Sequence, residues 1–361
     1  MSHFYPLQVT ERRQETRDAV VLTLAAPAQH TARFDFLPGQ YLTVRARVGD
    51  ESLRRAYSIC SAPDEQVLRI AIKRVAGGRF SNWANDALQP GDVLESMRPA
   101  GRFQVPLLPD DARHHVAFAA GSGITAILSL LKATLAAEPR SHFTLVYGNR
   151  ACATMMFRDE LAQLKDRYLA RFEPVYLLSR EDQDITLFNG RLDRPKCDAL
   201  LQHWLSGQRI DQAYICGPAG MAGEVTASLQ AAGVAPARIL TEHFAPATAP
   251  ARPRTAAPDI RERDDDGDCQ LSVVRDGQWQ HLALRRDGGS VLEQALAQGV
   301  ELPYACCGGV CSTCRCRLLE GEVDMADAPA LEDYERDRGF ILSCCSFPRS
   351  DRLVLDFDVE A

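Results

Sequence analysis

No run of apolar residues in this sequence approaches the roughly 18 to 20 that a membrane-crossing helix needs, so no membrane partner is expected. An apolar leader is missing too. The first 17 residues carry Glu11, Arg12, Arg13 and Glu15, which argues against secretion and for the cytoplasm. Lysine is absent from residue 268 onward, where 17 acidic residues face nine arginines, so the net charge of -7 belongs to the C-terminal quarter. That acidity argues against a nucleic-acid partner and suits a module that meets a basic surface, or merely a solvated one. Internal repeats are lacking. With 46% hydrophobic and 25% charged residues, disorder is excluded as the main state. A chain of 361 residues exceeds one ordinary core, and at roughly 150 residues per domain it predicts two to three.

Cysteine, by contrast, is plentiful: twelve in all, seven of them between Cys306 and Cys345. In a reducing compartment such clustering reads as metal ligation before it reads as disulfides. The segment from Pro303 to Cys314 is PYACCGGVCSTC. Cys306, Cys311 and Cys314 have the C-x4-C-x2-C spacing of a plant-type 2Fe-2S cluster, and Cys344 supplies a distant fourth thiolate. Gly308 and Gly309 let the loop fold around a cluster and aim amides at its sulfurs, which stabilises an anionic centre. Four thiolates also suit structural zinc, although zinc sites usually pair two short knuckles and here three ligands share one loop. Cys307, Cys316 and Cys345 are read as non-ligands, and the adjacency of Cys344 and Cys345 leaves open which of the two is bound.

Three styles of sequence succeed one another. Short β-rich runs at Val20–Leu24, Tyr41–Val48 and Val67–Val75, separated by Pro-Gly and Gly-Gly turns, predict a small antiparallel β-barrel over 1–108. From His114 strands and helices alternate, as in a parallel α/β sheet, with a domain expected over 109–245. The helices are expected at Thr125–Ala137, Met155–Tyr168 and Ala219–Ala232. A Pro- and Ala-rich stretch, APATAPARPRTAAP, and the charge run after it form an expected linker over 246–267. Residues 268–361 then make a module with a hairpin, Leu271–Val274 and His281–Leu284, and a helix at Ser290–Gln298. The cysteine loop and LSCCSFP segment of this module resemble a plant-type ferredoxin domain, which implies an α+β β-grasp fold.

Within the barrel, Arg55-Ala56-Tyr57-Ser58 resembles the R-x-Y-S motif of the ferredoxin-NADP reductase superfamily. A flavin needs an aromatic stack and a guanidinium for its phosphate; Tyr57 and Arg55 suit those needs, with Ser58 at the ring edge. Ile72-Lys73, then Gly77-Gly78-Arg79-Phe80-Ser81, resemble the superfamily's second flavin segment, where a turn into a helix offers amides and Ser81 to phosphate. Arg79 could equally be a solvated loop residue. Gly121-Ser122-Gly123 and Thr125, where the first strand of the α/β part meets its helix, resemble G-x-G-x-T-P, with Ala126 in the proline position. Tyr147-Gly148-Asn149-Arg150 ends the next strand. Cys216-Gly217-Pro218 is similar to the C-G-P motif, which implies a cysteine beside the nicotinamide, so Thr125 and Cys216 are the candidate catalytic residues. Ser179 and Arg180 stand where the superfamily reads the adenosine ribose: they suit the 2′-phosphate of NADPH, whereas the following Glu181 and Asp182 would suit NADH. Glu242-His243-Phe244 resembles the terminal acidic and aromatic residues, with Phe244 either covering the flavin or packed in the core.

Taken together, the segments RRAYSI, GGRFS, AAGSGIT, YGNR, MMFR and ICGPA resemble those of the reductase subunits of phenylacetyl-CoA epoxidases, bacterial multicomponent di-iron monooxygenases. The resemblance spans essentially the whole chain. It implies FAD, NADPH or NADH, and a 2Fe-2S cluster as cofactors, and a di-iron oxygenase complex as electron acceptor. Reductases of other oxygenases and desaturases share related domain orders, and those of dioxygenases would bind FMN. A redox-sensing cluster protein without turnover is the non-enzymatic alternative.

Overall fold

The computed structural model describes residues 3–244, 267–326 and 328–359; apart from Gly267, the expected linker lies outside them. Two compact units are distinguished, one built on Tyr5–Leu53 and Tyr57–Phe244, the other on the C-terminal residues.

The first unit begins with six antiparallel strands: β1 (Tyr5–Thr16), β2 (Ala19–Ala25), β3 (Tyr41–Val48), β4 (Glu51–Ser58), β5 (Leu68–Lys73) and β6 (Val93–Ser96). Their order is β4-β3-β6-β1-β2-β5. Leu7 and Val9 alternate with exposed neighbours on β1, the period of a half-buried strand. A bridge between Ile59 and Ile70 joins the two edges, so the sheet closes into a barrel and loses its free edge. Helix α1 (Arg79–Asp86) is held to it by Asn85, whose Nδ2 donates to Ile72 O at 3.0 Å and Ser81 O at 2.8 Å.

Next come β7 (His114–Ala120), α2 (Ile124–Ala137), β8 (His142–Asn149), α3 (Arg158–Arg167), β9 (Phe172–Leu178), α4 (Arg194–His203), β10 (Gln212–Gly217), α5 (Ala219–Ala231) and β11 (Ile239–His243). The parallel order is β11-β10-β7-β8-β9. The chain winds outward from β7 and returns to its other side, making a switch point where β7 and β10 lie side by side; ligands bind outside the carboxyl ends of such strands. Helix α2 is buried nearly all round because it packs on the sheet and against the barrel segment after β4. Ser129 Oγ donates to Ser61 O at 2.6 Å, and Lys132 reaches both Glu65 and Glu160.

Two differences from the expected elements have local causes. Helix α3 starts at Arg158 rather than Met155, because Met155, Met156 and Phe157 are buried and Phe157 takes a left-handed turn with φ +60°. Helix α4 was not anticipated from periodicity. Its signal is Asp193, which accepts from Lys196 N at 3.0 Å, followed by Pro195 in the first turn.

A charged group is locked beneath this sheet. Glu138, fully buried, binds Arg113, His115 Nε2 (3.1 Å), Ser141 Oγ (2.7 Å) and Leu108 N (3.0 Å). Burial alone would push its carboxyl up, but Arg113 and the hydrogen bonds override it and bring it down to about 2. His115, grouped with the parallel rings of Phe143 and Tyr214, is held down by burial. A cavity of about 1110 Å³ lined by Arg113, His114, His142, Arg171 and Arg238 opens at this amino-terminal edge, opposite the carboxyl ends of the strands.

The second unit contains β12 (Asp268–Arg275), β13 (Gln278–Arg285), α6 (Val291–Ala297), β14 (Arg315–Glu320), β15 (Val323–Met325), α7 (Asp333–Asp337), β16 (Phe340–Leu342), β17 (Ser346–Pro348) and β18 (Arg352–Asp356). Its main sheet is ordered β13-β12-β18-β14-β16, with β12 and β18 parallel and the other pairs antiparallel. Ser290 and Glu293 cap α6 reciprocally. The architecture is thus the expected one: an antiparallel barrel, a parallel α/β sheet and an α+β β-grasp domain.

Candidate flavin, nicotinamide and iron-sulfur sites

On β4, Arg55 and Tyr57 share one face and Ser58 takes the other. Arg55 Nη1 donates to Arg54 O at 2.7 Å, while its Nε is buried without a hydrogen-bond partner. An orphaned guanidinium donor is costly unless an anion meets it, so the position fits a phosphate. Tyr57 lies 5.7 Å from Phe80, ring centre to ring centre. Phe80 and Ile72 are themselves barrel core, so these two candidates can offer a cofactor only their backbone. Gly77 turns with φ +70° into α1, and a Cβ on Gly78 would stand 2.6 Å from Ser81 Oγ. That hydroxyl accepts from Val75 N at 3.2 Å and donates to Gly78 O at 3.4 Å, so it also closes the turn. Arg79 is exposed and paired with Glu51.

The loop after β7 meets both neighbours closely. A Cβ on Gly123 would lie 2.0 Å from Cys216 O, so this approach requires glycine. Gly121 has φ +55°, and its Cβ would sit 3.7 Å from Lys73 Nζ. Burial lowers the Lys73 pKa, and the charge of Arg150 lowers it further. Thr125 is buried, its Oγ1 donating to Ser122 O at 2.9 Å. Tyr147 Oη, a contact not foreseen from sequence, donates to Gly121 O at 2.9 Å. Gly217 packs so tightly that a Cβ would meet Met221 Cε at 2.5 Å, and Pro218 leads into α5.

Cys216 and Glu242 are register partners on β10 and β11. Cys216 Sγ donates to Glu242 Oε2 at 3.8 Å, and Ser58 Oγ donates to the same oxygen at 3.3 Å. Burial pushes the Glu242 carboxyl up to about 7, with the two donors offsetting only part of it. Burial, and then the Glu242 charge, hold the Cys216 thiol well above its ordinary value. The cysteine is therefore a neutral, compact group, not a thiolate nucleophile. One carboxyl thus ties the barrel strand to the carboxyl edge of the sheet.

At the outer end of that edge, Ser179 N donates to Asn149 O (3.0 Å) and Arg180 N to Arg150 O (2.8 Å), which brings the exposed Arg150 and Arg180 onto neighbouring strand ends. Glu181 is diverted, its carboxylate accepting from Cys152 N at 2.7 Å. Phe244 is 37% exposed and is not core.

In the C-terminal unit the thiols come together as contacts between Cys306 and Cys311 and between Cys314 and Cys344. Among the described residues no set of three or more potential ligands stands in a preformed metal cage. The donor chemistry nonetheless fits an anionic cluster. Cys306 is drawn down to about 6, first by the Cys311 thiol and then, against burial, by the amides of Gly308, Val310 and Cys311. Left-handed turns at Cys307, Gly309 and Ser312 aim those amides inward. Ser343 N and Oγ both donate to Cys314 O at 3.1 Å, tying the fourth-ligand segment to the loop. Cys307 is exposed and Cys316 is buried on β14.

Three family descriptions match the chain: an oxidoreductase FAD-binding domain over residues 6–105, an oxidoreductase NAD-binding domain over 118–227, and a 2Fe-2S iron-sulfur cluster binding domain over 273–349. Over 100% of its length the chain is 39% identical to a component of the 1,2-phenylacetyl-CoA epoxidase of Escherichia coli, 99% of which is covered. The chain belongs to the ferredoxin-NADP reductase superfamily, in its oxygenase-reductase branch. Another oxygenase reductase, the ferredoxin reductase component of 3-ketosteroid-9-alpha-monooxygenase from Rhodococcus rhodochrous, is 30% identical over 97% of the chain and 96% of its own. The solved structure of phthalate dioxygenase reductase superimposes with a TM-score of 0.60 at 25% identity, covering 98% of both chains. This oxygenase reductase is accordingly an NAD(P)H oxidoreductase with FAD-, nicotinamide- and 2Fe-2S-binding domains, of a kind that delivers electrons to an oxygenase. No helix among the described residues is long and apolar enough to cross a membrane.

Proposed function

We propose that this reductase draws electrons from NADPH and delivers them to a di-iron oxygenase of the phenylacetyl-CoA epoxidase type in the cytoplasm. The observation that carries the redox part is the shared contact of Ser58 and Cys216 with one oxygen of Glu242. The strand assigned to the flavin and the strand assigned to the nicotinamide meet there at a carboxyl able to hold a proton near neutrality. The full-length likeness to the Escherichia coli epoxidase component supports the acceptor.

When bound, FAD would accept one hydride, two electrons together, and release them singly, as a one-electron 2Fe-2S centre requires. The chain's residues supply binding and orientation. Arg55, the amides of Arg79 to Ser81 after the Gly77-Gly78 turn, and the Arg79 side chain would hold the flavin phosphates, with the backbone of Ile72, Lys73 and Phe80 lining the approach. Tyr57 faces the ring system, Ser58 its edge, and Phe244 screens it from water. Gly121, Ser122 and Gly123 admit the dinucleotide pyrophosphate at the start of α2. Arg150, Ser179 and Arg180 take its 2′-phosphate end, with Glu181 withdrawn to Cys152 N. Gly217 and Pro218 seat the nicotinamide against Cys216 and Thr125. The neutral Glu242 carboxyl, hydrogen-bonded to Ser58 Oγ, would keep a proton beside the edge of the ring. Cys306, Cys311, Cys314 and Cys344 ligate the cluster. The domains run 1–108, 109–245 and 268–361, joined by a linker at 246–267.

The acceptor is tested by mixing the holoprotein with a phenylacetyl-CoA oxygenase complex and NADPH. Coupled formation of the epoxide product is expected; NADPH oxidation without product would show that the acceptor is another oxygenase.

A further inference from the structure

Next to the proposed fourth ligand stands a second buried thiol with no assigned role. Cys344 Sγ and Cys345 Sγ lie 3.5 Å apart, within hydrogen-bonding reach for sulfur. Both side chains are nearly closed to solvent, at 5% and 7% exposure. The backbone fixes Cys345 on both sides: its N–H donates to Leu342 O at 2.9 Å, and its carbonyl accepts from Ala326 N at 2.8 Å. The thiol therefore has little freedom to turn away, and water has little room to replace it.

Between two free thiols either sulfur could donate. Ligation removes that ambiguity, because an iron-bound thiolate carries no proton and can only accept. We propose that Cys345 is a positioning residue for the cluster, its S–H donating to the Cys344 thiolate and setting the reduction potential. The inference rests on the reading of Cys344 as ligand. Reduction adds negative charge to the cluster and its sulfurs, so a donor at a ligand sulfur stabilises the reduced form and raises the potential. Both thiols belong to the buried, non-polar core of this unit, so the effect is little screened.

The experiment is a redox titration of the cluster, followed by its visible absorbance, in the full-length holoprotein and in Cys345→Ser, Cys345→Val and Cys345→Ala, with iron counted in each. Serine keeps a donor, valine keeps the volume without one, and alanine removes both. All three are expected to retain about two irons per chain, as the cluster type requires. Valine and alanine should shift the midpoint to more negative potential, and serine should stay at or above the parent value. A valine variant with full iron at the parent midpoint would overturn the hydrogen bond while leaving the ligand assignment intact. Cys344→Ala separates the two readings. If it keeps its cluster while Cys345→Ala loses it, Cys345 is the ligand, and the assignment on which the inference rests falls as well.

Discussion

Cys216 and Glu242 face each other across neighbouring parallel strands, the thiol donating to a glutamate oxygen 3.8 Å away that also receives Ser58 Oγ. The carboxyl sits where burial makes its charged form costly and holds its pKa near 7. A group raised in this way favours the fold while protonated. Its contribution is complete below the ordinary value of 4.5 and is lost as the pH rises through about 7.

That titration should be visible in the chemistry. Flavin reduction by NADPH, followed by stopped-flow absorbance, should slow as the pH rises past about 7 and Glu242 ionises. Glu242→Gln, fixed in the neutral form, should flatten that limb, and Glu242→Ala should slow reduction by about 10- to 100-fold with flavin still bound. An unaltered profile in Glu242→Gln would remove the carboxyl from the proton path.

Cys216→Ala leaves the backbone contact with Gly123 in place and removes only the sulfur. Flavin reduction should slow by about tenfold without loss of bound flavin. Gly123→Ala should do more harm, since its Cβ would come within 2.0 Å of Cys216 O and displace the loop. A raised KM for NADPH is the expected sign. Equal rates for wild type and Cys216→Ala would reduce the cysteine to packing.

Cys311→Ser should abolish cytochrome c reduction while ferricyanide, an acceptor served at the flavin, is still reduced. Loss of both activities together would contradict the order of the relay.

Nicotinamide choice should reside in the arginines at the ends of β8 and β9. Arg180→Ala should raise KM for NADPH by about tenfold and leave NADH nearly unaffected, because a 2′-phosphate loses a charged fork that a ribose hydroxyl never used. The same change in KM for both dinucleotides would place Arg180 elsewhere.

Acid should weaken the parallel sheet through two groups. His115, buried neutral, must be protonated as the pH falls below its ordinary 6.5, which opposes folding. Glu138, depressed to about 2 from 4.5, contributes stability that is complete above 4.5 and is lost as the pH falls through about 2. Melting temperature should thus decline from neutrality downward. Glu138→Ala, which strands Arg113 beside a buried cavity, should cost about 3 to 5 kcal/mol by denaturant titration.

Local chemistry carried much of this protein in plain view. Strand runs with Pro-Gly turns, strand-helix alternation after His114 and C-x4-C-x2-C at Cys306 are short-range patterns, and they announced the three folds and the cluster loop. Short-range spacing is also what proposes Cys311 rather than Cys316 as a ligand. What no pattern contained were relationships between residues distant in sequence: the barrel closing through Ile59 and Ile70, Ser58 and Cys216 converging on Glu242, Arg55 left with an unmet donor, Glu181 diverted to Cys152, Phe80 committed to the core. These depend on strand register and burial, quantities that exist only once the sheets have paired and expelled water. Composition could therefore name the groups able to hold a proton or a phosphate, and tertiary structure alone decided which of them are desolvated, adjacent and still in need of a partner.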